Sequence, residues 1–360
     1  MTMFQNLMGL FKASIAGVLV ALVLSPLAIL ITKRVGLLDI PGSAPHKKHL
    51  KPTPKAGGIA LILSIIVLFL IIQLFDHDFS IFDKNISALL AAAGIIFLFG
   101  LWDDVKGLKV PYKLIGQILA SVFLIAVNVH VHFLASLDRD VIHLSGITIT
   151  LLDWGVTILW FVGITNALNF VDSMDGLAVG IAGIALAFFM LMALLSNQNI
   201  LAIFSAGLMG ICIGLYAFNI APARLFLGDS GAQTLGFILA AVGMIYTPLD
   251  LPQGSTWFVP IIMLGVPIFD ATLVVISRIL RHKPVFLADR THTYHRLVGL
   301  GLDPNRAVLT IQIMTILLGL LAFLAESLSP IRATLIFFTV LLAGVILLII
   351  FLRMKIQYDE

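Results

Sequence analysis

The chain has 360 residues, 60% of them hydrophobic and only 11% charged, with a formal net charge of +3 and a mean hydropathy of +1.10. That apolar content lies above the roughly 45–50% of soluble domains and excludes a water-soluble globular protein. The one cysteine, Cys212, excludes a disulfide framework.

In chain order, apolar runs lie near 10–32, 56–75, 86–102, 114–132, 154–171, 176–195, 199–218, 230–246, 256–277, 305–325 and 333–352. Each is long enough, or nearly so, to cross about 30 Å of hydrocarbon as a helix. No small-residue cleavage signal follows the first run, which therefore reads as a retained helix. Pro26, Pro260 and Pro267 read as kinks of the kind that membrane helices tolerate. The predicted fold is an all-α integral membrane protein: a polytopic bundle of about 11 transmembrane helices in a single domain over 1–360. The longest outer loop, about 133–153, carries the alternating stretch HLSGITITLL, which predicts a small extracytoplasmic β-hairpin.

Alternating the loops across these runs places 18 of the 22 Lys and Arg residues on one side, leaving Lys12, Lys84, Arg139 and Arg332 on the other. Positive charge stays inside, so the N-terminus is expected outside and the C-terminus in the cytoplasm.

The acids follow the same division. Asp103 and Asp104 close the third run, in GLWDDVKGL. Asp172 and Asp175 lie in NALNFVDSMDGLA, and Asp229 in ARLFLGDSG. His292 and His295 lie in DRTHTYH, after the ninth run. Four separated segments thus bring carboxylates, amides and imidazoles to the cytoplasmic face. A hard divalent cation takes oxygen ligands from one or two carboxylates and keeps positions for phosphate. Nearby Lys, Arg and His suit phosphate oxygens. Together these are the parts of a phosphoryl-transfer site.

Spacing adds a local expectation. Asn166, Asn169, Asp172 and Asp175 recur every third residue. On a continuous helix each step turns by about 60°, so the ends of the row would face opposite ways. The Asp175-Gly176 pair permits a break, which predicts a helix end near Asp172. Asp270 lies inside the ninth run, where an acid is either functional or a structural group facing the bundle interior.

At these residues the chain resembles the polyprenyl-phosphate N-acetylhexosamine-1-phosphate transferases. Five motifs carry the resemblance in order: KKHLKPTPKAGG (47–58), GLWDDVKGL (100–108), NALNFVDSMDGLA (166–178), NIAPARLFLGDSG (219–231) and DRTHTYH (289–295). It implies transfer of a sugar 1-phosphate from a UDP-sugar to a membrane polyprenyl (undecaprenyl) phosphate, releasing UMP. It implies Mg2+ as cofactor, with Mn2+ as a substitute, and Asp229 and Asp172 as metal ligands. Asp103, Asp104, Asp172 and Asp175 are implied as catalytic acids. Lys48, Thr53 and Lys113 are implied on the phosphate side, Asn166 and Asn169 at the nucleotide site, and Asn219 beside the uracil. Arg290, His292 and His295 are implied to embrace the pyrophosphate. Three histidines in a row mark the branch that uses UDP-MurNAc-pentapeptide. The HTYH of this chain, with Tyr294 where a further histidine is usual, is closer to the branch that uses UDP-GlcNAc. The resemblance also implies the plasma (inner) membrane with a cytoplasmic active site, no nucleic-acid partner, and allows a homodimer.

A secondary transporter is the rival from another class. It would place its ionisable residues near the midplane, whereas only Asp270 lies well inside a run.

Overall fold

The structure is a computed structural model that describes residues 3–41, 51–75, 83–131, 145–246, 257–284 and 291–354. Its helices are α1 (Met3–Arg34), α2 (Gly57–Phe75), α3 (Lys84–Lys106), α4 (Val110–Ala126), α5 (Gly146–Val171), α6 (Leu177–Leu195), α7 (Asn199–Asn219), α8 (Gly228–Ile245), α9 (Val259–Met263), α10 (Gly265–Leu280), α11 (Thr293–Gly299), α12 (Pro304–Ser327) and α13 (Pro330–Arg353). Each predicted apolar run is helical over most of its described residues. Among the described residues, eight helices (α1, α2, α3, α5, α6, α7, α12 and α13) are long and apolar enough to cross a membrane. The chain is therefore a multi-pass α-helical membrane protein. The ninth run is split at Leu264 into α9 and α10, between Pro260 and Pro267. Pro26 sits inside an unbroken α1.

The predicted hairpin is corrected. Residues 133–144 of its loop fall outside the described residues, but Gly146 to Leu152 form the first two turns of α5. Ser145 caps them by accepting from Thr148 N at 3.2 Å, and the Thr150 hydroxyl donates to Gly146 O at 3.0 Å. The alternation of Ile and Thr is overruled because a helix satisfies its backbone within one segment, which an isolated hairpin cannot. Among the described residues the strands are β1 (Leu38–Asp39) and β2 (Thr53–Pro54), an antiparallel pair with Leu38 opposite Pro54.

Helix α8 is the axis of the bundle. Every residue from Ser230 to Gly243 is buried, with α2, α3, α5 and α6 packed around it. Burial on all sides explains a composition too small and polar for a lipid-facing span. Gly100 of α3 illustrates the fit: a Cβ there would lie 2.5 Å from Ser230 Cα. At the periphery, α13 buries only Ala333. The ends of α3 and α5 and the start of α8 meet at one end of this core, where the acids gather.

Candidate active site

Asp229 stands in the first turn of α8, and its Oδ1 accepts from three side chains. Asn169 Nδ2 donates at 2.9 Å, Lys113 Nζ at 3.3 Å and Gln233 Nε2 at 3.3 Å. Lys113 also pairs with Asp103, so one ammonium bridges two carboxylates from different helices. Asp104, next to Asp103, points into the start of α8. Its Oδ1 accepts from Asp229 N at 3.0 Å, and its Oδ2 accepts from Ser230 N at 2.9 Å and Ser230 Oγ at 2.6 Å. Lys55 Nζ lies 3.5 Å from Asp104 Oδ1.

The row of Asn and Asp at the end of α5 is divided as its spacing requires. Asn166 Nδ2 donates to Gln117 Oε1 at 2.7 Å, and Gln117 Nε2 donates onward to Gln233 Oε1 at 3.1 Å. Asn169 reaches Asp229. The helix stops at Val171 with Asp172 as its C-cap. Gly176 then takes φ 75°, a left-handed turn that an L side chain rarely adopts. Asp175 lies within this turn, just before Gly176, and its Oδ2 accepts from Ala223 N at 3.0 Å.

Asp172 carries the clearest electrostatic signature. Burial, and then the negative charges of Asp229, Asp104 and Asp175, push its carboxyl up to about 8. Its oxygens take no hydrogen bond from the described residues. The three donors on Asp229 all address Oδ1 and leave Oδ2 to other partners. Asp172, without a donor and ringed by acids, fits a divalent cation shared with Asp229. Among the described residues no three His, Cys, Asp or Glu side chains already form a metal cage. A cation here would thus be held by two carboxylates and by substrate phosphates, as Mg2+ commonly is.

The remaining expected residues are placed less uniformly. Lys48 and Arg290 lie outside the described residues. Thr53 is buried on β2 and donates to Lys51 O at 3.1 Å. Asn219 is buried, and its amide is spent on backbone: Oδ1 accepts from Gly176 N at 3.1 Å and Nδ2 donates to Leu225 O at 3.0 Å. It braces the turn that carries Asp175. His292 Nδ1 lies 2.8 Å from Asp270 Oδ2, and Thr293 N donates to Asp270 Oδ1 at 2.6 Å. Asp270 therefore binds the histidine segment to α10. The His292 ring meets Phe170 edge-on at 6.4 Å, with Arg278 5.6 Å from the centre of the same ring. This places His292 beside the Asp172 turn. The His295 ring lies tilted against that of Tyr294, with centroids 3.9 Å apart.

Lys55, Gln117, Ser230 and Gln233 belong to the site and are absent from the sequence-derived set. Gln117 and Gln233 were legible in principle, because an amide inside an apolar run must find a partner. Lys55 lies in a quoted motif. Nothing in the sequence points Ser230 at Asp104.

Residues 86–247 match the model of glycosyl transferase family 4. The chain is 28% identical over 326 residues to a protein of Bacillus subtilis described as a probable undecaprenyl-phosphate N-acetylglucosaminyl 1-phosphate transferase, covering 90% of this chain and 87% of the relative. It is 32% identical to a decaprenyl-phosphate N-acetylglucosaminephosphotransferase of Mycobacterium leprae, over 78% of this chain and 74% of the relative. It is 30% identical to a phospho-N-acetylmuramoyl-pentapeptide-transferase of Bacillus velezensis, over 87% and 96%. The order of its motifs, its carboxylates gathered at one end of a membrane bundle and these relatives agree: the chain belongs to glycosyl transferase family 4, the polyprenyl-phosphate N-acetylhexosamine-1-phosphate transferases.

Proposed function

We propose that the protein transfers N-acetylglucosamine 1-phosphate from UDP-GlcNAc to a polyprenyl phosphate, giving polyprenyl-diphosphate-GlcNAc and UMP. The observation that carries this reading is the meeting of Asp103, Lys113, Asn169, Asp172 and Asp229 at one end of a buried helix. These residues come from distant parts of the chain. A solvated helix end needs none of them beside the others.

Asp172 and Asp229 would hold Mg2+, which when bound neutralises charge on the pyrophosphate. Lys113, between Asp103 and Asp229, is placed to exchange a carboxylate for a phosphate oxygen. A phosphate monoester has its second pKa near 6 and is mostly ionised at neutral pH. Asp103 would remove any remaining proton. An oxygen of the lipid phosphate then bonds to the phosphorus that carries the sugar. The bond from that phosphorus to the bridging oxygen breaks, and UMP leaves with the electron pair. One in-line displacement suffices, because positioning and charge supply most of such catalysis. Asn166 and Gln117 shape the nucleotide side, Asn219 supports it by bracing the turn that carries Asp175, and His292 and His295 approach from the segment that Asp270 fixes.

The basic loops put this end of the bundle in the cytoplasm, with about eleven spans across the plasma membrane. One multi-pass domain, 1–360, carries the whole site. Relatives of both branches cover most of the chain, and the HTYH segment favours UDP-GlcNAc over UDP-MurNAc-pentapeptide. Purified protein in lipid nanodiscs, given undecaprenyl phosphate, Mg2+ and each labelled sugar nucleotide in turn, tests the choice. Label is expected in lipid from UDP-GlcNAc alone. Comparable transfer from UDP-MurNAc-pentapeptide overturns the branch assignment.

A further inference from the structure

Asp103 and Asp104 are neighbours in sequence, but their side chains meet different partners. Asp103 faces Lys113 and receives Leu108 N. Asp104 turns instead toward the first turn of α8. That helix begins without a cap of its own: Leu227, at the N-cap position, makes no side-chain cap bond. The first N–H groups of a helix have no partner within it. Here they cannot turn to water, since Ser230 and the residues after it are buried.

Asp104 fills that gap from another helix. Its two oxygens accept from Asp229 N, Ser230 N and Ser230 Oγ at 3.0, 2.9 and 2.6 Å. A negative group at a helix N-terminus also gains from the helix dipole. Two glycines make room. Gly100, one turn before Asp104, lets α3 close on Ser230. Gly228, at φ 71°, has no Cβ, which would stand 2.8 Å from Asp104 Oδ2. With three donors and Lys55 nearby, and only 7% exposed, Asp104 has little capacity left for substrate.

We infer that Asp104 is a positioning residue: it caps α8 from α3 and so fixes the residue whose backbone it holds, Asp229. The inference rests on the cation-assisted reading of the site above, but its test does not depend on the sugar nucleotide. Asn at position 104 keeps the shape and turns an NH2 group toward two donors, breaking the cap. Two measurements use no substrate: the melting midpoint of full-length protein in nanodiscs without divalent cation, and Mg2+ binding by calorimetry. Asp104→Asn is expected to lower the midpoint and weaken Mg2+ binding by about tenfold, as loss of an outer partner of a metal ligand does. Asp103→Asn is expected to leave the midpoint at or above the wild-type value, because it relieves crowding among acids without touching the helix end. Ser230→Ala should move both quantities in the direction of Asp104→Asn by a smaller amount. Combined with Asp104→Asn, it should add nothing, the mark of a shared interaction.

Turnover then separates positioning from direct participation. Raising Mg2+ should restore much of the activity of Asp104→Asn and none of that of Asp103→Asn. An Asp104→Asn protein that melts and binds Mg2+ like wild type, yet stays inactive at saturating Mg2+, overturns the assignment. If Asp104→Asn fails to fold, Ser230→Ala decides: weakened Mg2+ binding upholds the assignment and unchanged binding overturns it. Failure of wild type to use UDP-GlcNAc would leave the melting and calorimetry results standing.

Discussion

Polar groups close both ends of α8, but the two ends differ in charge. At the C-terminal end, Ser196 Oγ donates to Glu326 Oε1 at 2.9 Å, and the Tyr246 hydroxyl donates to the same oxygen. A carboxylate oxygen only accepts, so both hydroxyls act as donors. One acid meets two hydroxyls, and the cluster ties the ends of α6, α8 and α12 together. At the N-terminal end, Lys55 pairs with Asp104 and Lys113 with Asp103 and Asp229, while Asp172 meets the charges of Asp229, Asp104 and Asp175. The first cluster is complete as it stands. The second crowds four carboxyl groups on one another around two ammonium groups, a costly arrangement unless a cation belongs there. Crowding of acid on acid, rather than burial of polar groups as such, separates a candidate site from a structural clamp.

The largest effect should come from removing charge at the second cluster. Asp229→Asn keeps the shape and loses the charge that a hard cation prefers. Turnover is expected to fall by about a thousandfold or more, measured as lipid-linked sugar formed per minute. Full activity at ordinary Mg2+ would move the ligand role to Asp172 or Asp175. Lys113→Met comes next. It removes the bridge between Asp103 and Asp229, and kcat should drop by about a hundredfold. An unchanged kcat with a raised KM would limit Lys113 to binding.

A pH effect sharpens the comparison further. Asp172 is raised to about 8 from an ordinary 3.8. The folded, cation-free protein thus holds a proton that the unfolded chain gives up, and stability should fall as pH rises through that window. Because Mg2+ needs the ionised form, its affinity should instead rise by about tenfold per pH unit below 8. Asp172→Asn should flatten both trends. The smallest effect belongs to the clamp. Glu326→Gln should lower stability by about 1 kcal/mol and leave turnover near wild type. A large loss of turnover would show that the two ends of α8 are coupled.

Much of this was legible in the sequence, for identifiable reasons. The helices were, because apolar runs in a membrane have few alternatives to helix. The stop near Asp172 followed from a three-residue spacing that no continuous helix can serve. ITITLL misled because alternation is a strand signal only where a partner strand is at hand. The split at Leu264 was hidden within one apolar run, although Pro260 and Pro267 marked it. The site was legible as a set of segments, since charge beside apolar runs needs a purpose. Its wiring was not. Asp103 and Asp104 have the same chemistry and adjacent positions, and only the packing of α3 on α8 gives them different partners. Asn219 could be read as a ligand-facing amide, yet it is spent on Gly176 and Leu225.

The most direct measurement is the binding of Mn2+, a spectroscopic stand-in for Mg2+, by electron paramagnetic resonance of the full-length protein in nanodiscs. The expected result is a single tight site in wild type that persists in Glu326→Gln and is lost in Asp229→Asn. Mn2+ binding that survives Asp229→Asn unchanged, or that is absent from wild type, would contradict a cation site at the head of α8.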